Sequence, residues 1–337
     1  MQLPVAAFDI GYGYTKIVFS SGKKDLRPKT LSFPSLSPTT LKKQTSTTAL
    51  LTTDVKTIEI NNTRYLAGPD VELHQKPHHT RVLSDNYVHT EQYLALNLAA
   101  MAYTGATHIS TLVVGLPVDL FDSKQAFVKK LLTGEHTIND NKTVIIDNVF
   151  PVAQPVGGLY HATAKTKLGI HKDKEYLVID PGYYTFDWFV IKGLKRNEHL
   201  SGHHPGGMSS VLASIADSIG HEYGVHYSDS QLGLIDTALQ SNVLKIQDKS
   251  VSLTPHIKAG EADMMEAIQV MQNHIGDKKS FEHTFLVGGP AKHYLPVLNK
   301  QLPLRNITCI DNPMFANVNG FYGIGLDIHK NKERAAS

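Results

Sequence analysis

The chain has 337 residues, enough for about two domains with a core each. Apolar residues make up 41% and charged residues 19%, an ordinary balance for a globular protein, and the formal net charge of +2 argues neither for nor against a nucleic-acid partner. The 18 histidines add positive charge only below about pH 6.5. The single cysteine, Cys309, excludes an intrachain disulfide and a cysteine-based zinc site, and it fits a reducing, cytoplasmic setting. No stretch approaches the roughly 18 apolar residues of a membrane span, and the N-terminus has no basic segment followed by an apolar one, so neither a membrane partner nor a signal peptide is expected.

Residues 5–20 read as a strand ending in Asp9, a turn through Gly11 and Gly13, and a second strand from Thr15 that carries Lys16. Residues 21–90 are polar and rich in turn formers, and read as a small inserted subdomain. Strands at 55–60 and 63–67 bracket an Asn61-Asn62 hairpin turn. His74, His78 and His79 match no metal spacing and read as a solvated loop. A helix follows over 90–105, with Leu94, Leu98 and Met101 at helical spacing. Then come a buried strand from Thr111 to Pro117, a helix over 119–132 and a strand over 142–149. Gln154 lies where this last region passes into a small-residue helix, Gly157 to Lys167. It reads either as a helix-start polar residue or as a side chain beside a ligand.

Residues 176–191 repeat the opening pattern: apolar strand, Asp180, a turn at Pro181-Gly182, Thr185, and a returning strand from Phe186 to Ile191. Asp187 reads as part of the site or as a plain strand residue. Two strand–Asp–Gly-turn–strand units far apart in sequence suggest a duplicated domain pair. Glycine in such turns lets backbone approach phosphates, and Lys16 supplies a point charge. Gly206-Gly207 starts a helix to Tyr223, 225–255 is polar without clear period, and 260–275 is a helix with Met264, Ile268, Met271 and Ile275 on one stripe. Phe285 to Ala291 runs from a strand into a Gly288-Gly289-Pro290 turn, which allows close approach of a flat ligand. A strand over 306–311 and a final helix close the chain, with a frayed tail over 331–337.

Taken together, these segments resemble the actin/Hsp70/sugar-kinase superfamily. Asp9 to Lys16 is similar to its first phosphate motif, Asp180 to Asp187 to its second, and Leu286 to Ala291 to its adenosine motif. Thr111 to Pro117 with Gln154 to Ala162, and Ala316 to Gly325, are similar to its connecting segments. Within the superfamily the chain most resembles the ParM/StbA plasmid-segregation actins, in the segment Asn312 to Phe321 and in a length that leaves no room for a chaperone's substrate domain. Tyr183 and Tyr184 depart from the small residues usual in the second turn, and Gln154 stands where ParM has Glu and actin has Gln.

The resemblance implies an α/β actin-like fold: two related ribonuclease-H-like domains flanking a nucleotide cleft, 1–160 with an insertion at 21–90 and 161–330 with an insertion at 218–275. It implies ATP or GTP with Mg²⁺. Asp9 and Asp180 hold the metal largely through water, and Gln154 orients the attacking water. Gly11, Tyr12, Gly13, Tyr14, Thr15 and Lys16 face the phosphates from one side, and Gly182, Tyr183, Tyr184, Thr185 and Asp187 from the other. Gly288, Gly289 and Pro290 meet the adenosine. It further implies a slow ATPase that polymerises with itself into dynamic cytoplasmic filaments and moves plasmid DNA through a centromere-binding adaptor, so that DNA contact is indirect. The alternatives are a sugar or metabolite kinase, for which no catalytic Asp stands at the first connecting segment, and a nucleotide-regulated cytoskeletal protein that does not segregate DNA.

Overall fold

The apolar run at the N-terminus forms β1 (Gln2–Ile10), and the chain returns as β2 (Tyr14–Phe19) and again as β3 (Lys29–Pro34), all antiparallel. This is a computed structural model that describes residues 1–20, 28–41, 53–74, 84, 86–139, 142–166, 171–193, 195–276, 280–302 and 306–336. Because β3 belongs to the main sheet, the inserted stretch begins after Pro34, later than the expected residue 21. It carries a small sheet of β4 (Thr39–Thr40), β5 (Lys56–Ile60) and β6 (Thr63–Ala67). The β5–β6 turn has Asn61 at φ 48° and Asn62 at φ 63°, the pair of left-handed residues that a two-residue hairpin needs. His74 bonds Thr53 Oγ1 at 2.8 Å, and His78 and His79 lie outside the described residues.

Helix α1 (Glu91–Thr104) starts where the Thr90 hydroxyl accepts from the Tyr93 amide at 3.2 Å, and ends at Gly105 with φ 70°. Strand β7 (His108–Leu116), helix α2 (Val118–Leu132), strands β8 (Gly134–Asn139) and β9 (Lys142–Ala153), and helix α3 (Gln154–Thr166) follow. The six-stranded sheet runs β3-β2-β1-β7-β9-β8, with β7 and β9 parallel to β1. Its central strands are apolar on both faces because both faces are covered: Ala6, Phe8, Leu112 and Val114 pack with α1, and Ala7 and Val113 pack on the opposite side.

The second half repeats this plan. Strands β10 (Glu175–Pro181) and β11 (Phe186–Lys192) form an antiparallel hairpin, with β12 (Lys195–Arg196) and β13 (Gly202–His204) along β11. Helix α4 (Met208–Tyr223) leads to α5 (Leu232–Ser241), the hairpin of β14 (Val243–Ile246) and β15 (Lys249–Ser252), and α6 (Thr254–Ile275). Then β16 (His283–Leu286), α7 (Ala291–Gln301) and β17 (Ile307–Cys309) complete a sheet ordered β12-β11-β10-β16-β17, with β16 parallel to β10 and β17 parallel to β16. Each half is thus a hairpin flanked by two parallel strands, as a duplication requires.

The predicted stripe Met264, Ile268, Met271 and Ile275 is buried with Leu177, Phe186 and Trp188 in one core. Gly260 presses α6 onto Val211 and Ile215 of α4. Helix α6 therefore belongs to the core, and the inserted part of this half narrows from the expected 218–275 to the segment between α4 and α6. The last helix, α8 (Ala316–Ala336), covers Ala7 and Val113 through Val318 and Phe321. The compact units are consequently 1–169 with 315–337, and 170–314, instead of a single division near residue 160. The expected frayed tail is helical through Ala336.

His161, half-buried on α3, has its pKa lowered by burial and then by Lys165. Its folded pKa lies below its unfolded value, so its contribution to stability is present above about pH 6.5 and is lost as pH falls through the folded pKa. Melting temperature is expected to drop between pH 7.5 and 5.5. In His161→Gln that drop should be smaller, as calorimetry at both pH values would show.

Candidate functional site

The first hairpin's register places Asp9 directly opposite Lys16. Lys16 Nζ donates to Asp9 Oδ2 at 2.8 Å, with the carboxylate 1% exposed. The other carboxylate oxygen, Oδ1, accepts from Gln154 Nε2 at 2.8 Å. Three sequence-predicted residues from two distant segments therefore meet on one carboxylate. Gln154 gets there because α3 begins at that residue, three positions before the predicted start.

The turn between β1 and β2 closes through Gly11 N–H, which donates to Tyr14 O at 3.2 Å, and Ser35 N–H donates to Gly13 O at 2.9 Å. A Cβ on Gly11 would press 3.2 Å from the Tyr14 carbonyl oxygen, so the glycine lets this turn close. Tyr12 stacks on Tyr87 at 5.1 Å and donates its hydroxyl to Ser84 O at 3.2 Å. Tyr14 begins β2 opposite Pro34. Thr15 is fully buried, its hydroxyl 3.1 Å from Ser35 Oγ, so it braces the strand from inside.

In the second hairpin the register sets Asp180 against Asp187, two carboxylates where the first hairpin has a carboxylate and a lysine. Thr185 Oγ1 donates to Asp187 Oδ2 at 2.6 Å, and Gly182 N–H donates to Thr185 O at 2.7 Å. The first turn of α4 then grips this loop. The amides of Met208, Ser209 and Gly207 donate to the carbonyls of Gly182, Tyr183 and Tyr184 at 3.0, 2.7 and 3.0 Å. In a trans peptide the next residue's N–H points opposite to the carbonyl, and the described residues contain no cis peptide. The amides of Tyr183, Tyr184 and Thr185 accordingly all face away from α4. Three successive N–H groups aimed one way are the arrangement that can receive an anion.

The two tyrosines are compatible with this turn. Neither is among the positive-φ residues, so no glycine is needed at either position, and Tyr183 rests its ring against the second unit's core. The requirement for glycine falls instead on Gly207, whose Cβ would come 2.6 to 2.8 Å from Tyr184 C, Thr185 N and Tyr183 O. It falls also on Gly288, at φ +90°, where a Cβ would strike Asp180 Oδ1 and Pro181 O. Gly288 N–H donates to Pro313 O at 3.0 Å, while Gly289 is exposed with only Met314 Cγ, at 4.0 Å, near its Cβ position. Pro290 caps α7. Gly207→Ala is expected to weaken nucleotide binding about tenfold or more by pushing the turn off α4, measured by titration with a fluorescent ATP analogue.

Residues 7–157 match the family described as actin like proteins N terminal domain, and residues 178–300 match the archaeal actin homologue MreB-like C-terminal family. Both matched families are of actin-like proteins, and the fold of the chain is actin-like. Its fold is that of an archaeal actin homolog, Ta0583, at 19% identity and TM-score 0.77 over 96% of this chain and 100% of that one. A 15-stranded ParM filament from Clostridium botulinum superposes at 20% identity and TM-score 0.75, over 97% of this chain and 100% of its own. The actin-like protein Alp7A does so at 14% and 0.73, over 99% and 100%. The archaeal homolog is also known in complex with ADP, at 17% identity and TM-score 0.77 over 96% and 100%. No curated protein matches the chain significantly.

Two residues of this actin-like chain escaped sequence reasoning. Gly115 is the next-to-last residue of β7, and a Cβ there would press 2.5 Å from the Phe321 ring and 3.2 Å from Gln154 Cγ. A glycine inside an apolar strand is the signal that marks such close approach. Gly207 read only as a helix start, because nothing local shows that its neighbours' amides serve a turn more than twenty residues earlier.

Proposed function

We propose that this actin-like protein is a Mg-dependent ATPase that assembles into filaments, and that the filaments segregate plasmid DNA through a DNA-bound adaptor. The observation that carries the reading is the pair of equivalent hairpins, each with a buried carboxylate beside a four-residue turn built for close backbone approach. Lys16 places its charge on the phosphates, the amides of the second turn donate to phosphate oxygens, and Gly288 with Gly289 gives the adenosine a surface without side chains.

The donor set fits Mg²⁺ held through water. Asp9 already accepts from Lys16 and Gln154, and no cluster of three or more metal-ligating side chains occurs among the described residues. Asp180, with Asp187 opposite, and Asp9 would bind water molecules of the hydrated ion. When bound, Mg²⁺ supplies positive charge against the phosphates. Gln154 orients the attacking water and does not act as a base.

Self-association is supported by the whole-length likeness to a subunit of a ParM filament. The archaeal likeness supports a second reading, a host-cell actin of the same fold without a plasmid cargo. No helix among the described residues is long and apolar enough to cross a membrane. Electron microscopy of the purified chain is expected to show filaments with Mg-ATP and none without nucleotide. Dispersed particles in every nucleotide state and at high protein concentration would remove the polymer reading. Retention of an unstable plasmid carrying the gene with its flanking DNA separates plasmid cargo from a host role.

A further inference from the structure

We infer that Asp9 is the positioning residue that fixes the polarity of the Gln154 amide. The inference rests on the ATPase reading above. A carboxylate only accepts, so the Gln154 atom 2.8 Å from Asp9 Oδ1 is the Nε2 donor, and the carbonyl Oε1 is turned away from Asp9. An amide held this way presents an acceptor to water. Accepting one water hydrogen leaves a lone pair on the water oxygen for the γ-phosphorus. The oxygen then forms the new P–O bond, the β–γ bridging oxygen leaves with ADP, and the water proton passes to the released phosphate. Gln154 neither gains nor loses a proton.

Three further features hold this arrangement. Lys16 occupies Asp9 Oδ2 and stops the carboxylate from turning. Gly115 leaves room for the Gln154 stem, which passes 3.2 Å from its Cβ position. The buried Phe321 ring, 2.5 Å from the same Cβ position, closes the space beside that stem. The amide is thereby committed to one orientation before any nucleotide arrives.

A reciprocal exchange tests this. In Gln154→Glu two carboxylates face each other, and the donor is gone. In Asp9→Asn the new amide can accept from either Lys16 or Gln154 but meets the other donor with its own N–H group. In the double variant the new amide at position 9 can donate through its nitrogen to the new carboxylate at position 154, while its oxygen accepts from Lys16. The Lys16 bond is then kept, and the bond between positions 9 and 154 returns in reversed sense. Each single variant is expected to lose about tenfold or more in kcat, with ADP affinity changed much less. The double variant should turn over roughly fivefold or more faster than either single variant.

Losses that simply multiply in the double variant, or wild-type kcat in Gln154→Glu, would overturn the inference. A crystal structure of the wild-type chain with ADP gives an answer that does not depend on the variants folding. Gln154 Nε2 within about 3.2 Å of Asp9 is expected, and a separation beyond about 3.5 Å overturns the inference. Absence of ATP turnover in the wild type would instead defeat the ATPase reading on which the inference stands.

Discussion

Asp180→Ala is expected to cut Mg-ATP turnover by roughly 10²–10³-fold while leaving the melting temperature within a few degrees of wild type. Asp180 is 6% exposed at the end of β10, opposite Asp187, and lies against the left-handed Gly288. In the proposed function, deleting its carboxylate removes charge that the metal and the phosphates call for. It also relieves the opposition of two like charges, so folding loses little. Phosphate release followed over time, beside a thermal melt, separates the two effects. Wild-type turnover in a folded Asp180→Ala protein would remove this residue from the site.

Gly320→Ala is expected to be the most destabilising single methyl addition in the first unit. Helices α3 and α8 cross at Gly157 and Gly320, where a Cβ on Gly320 would overlap the Gly157 carbonyl. The obstacle is backbone, so no rotamer change relieves it, and the helices must separate. Overpacking of this kind costs about 3 kcal/mol, near the upper end of the usual range. That corresponds to a fall of roughly 6–12 °C for a unit of this size. Gly323 beside Tyr160, and the Tyr160 hydroxyl on Asp327 Oδ2 at 2.6 Å, belong to the same crossing. Separating the helices also shifts the start of α3, and Gln154 with it, so turnover should fall in the fraction that stays folded. Gly224→Ala is the control. It has φ +65° but nothing within 4 Å of its Cβ position, and should cost only about 1 kcal/mol. Equal melting temperatures for the two variants would show that the helix crossing is not under steric limit.

The fold was legible where local chemistry and tertiary role agree. Both Asp-bearing hairpins, the Asn61-Asn62 turn, α1 with its Thr90 cap and the Met264-to-Ile275 stripe follow from period, turn residues and caps. Strand β8 was missed because it is an edge strand with Ile138 as its only buried residue, so it carries almost no apolar signal. The return of α8 to the first unit cannot be read from α8 itself, since it depends on a partner surface made of Ala7 and Val113. The sequence motifs point Asp9, Lys16 and Gln154 toward one place, and in the structure they meet there. Their mutual bonding does not follow from the motifs, because spacing gives proximity and not the direction of a hydrogen bond. Thr15 aligns with Thr185 by eye. The strand registers instead match Thr15 with Phe186 and Tyr14 with Thr185, which leaves Thr15 inside the sheet and Thr185 in the turn.

The central claim of the proposed function is that the Asp-bearing hairpin of each unit takes part in nucleotide binding. Calorimetric titration of the wild-type chain with Mg-ATP analogue, beside Lys16→Ala from the first unit and Asp180→Ala from the second, tests it most directly. About one nucleotide per chain is expected, with affinity weakened about tenfold or more by either substitution alone. Binding that is indifferent to one of the two substitutions would contradict the account.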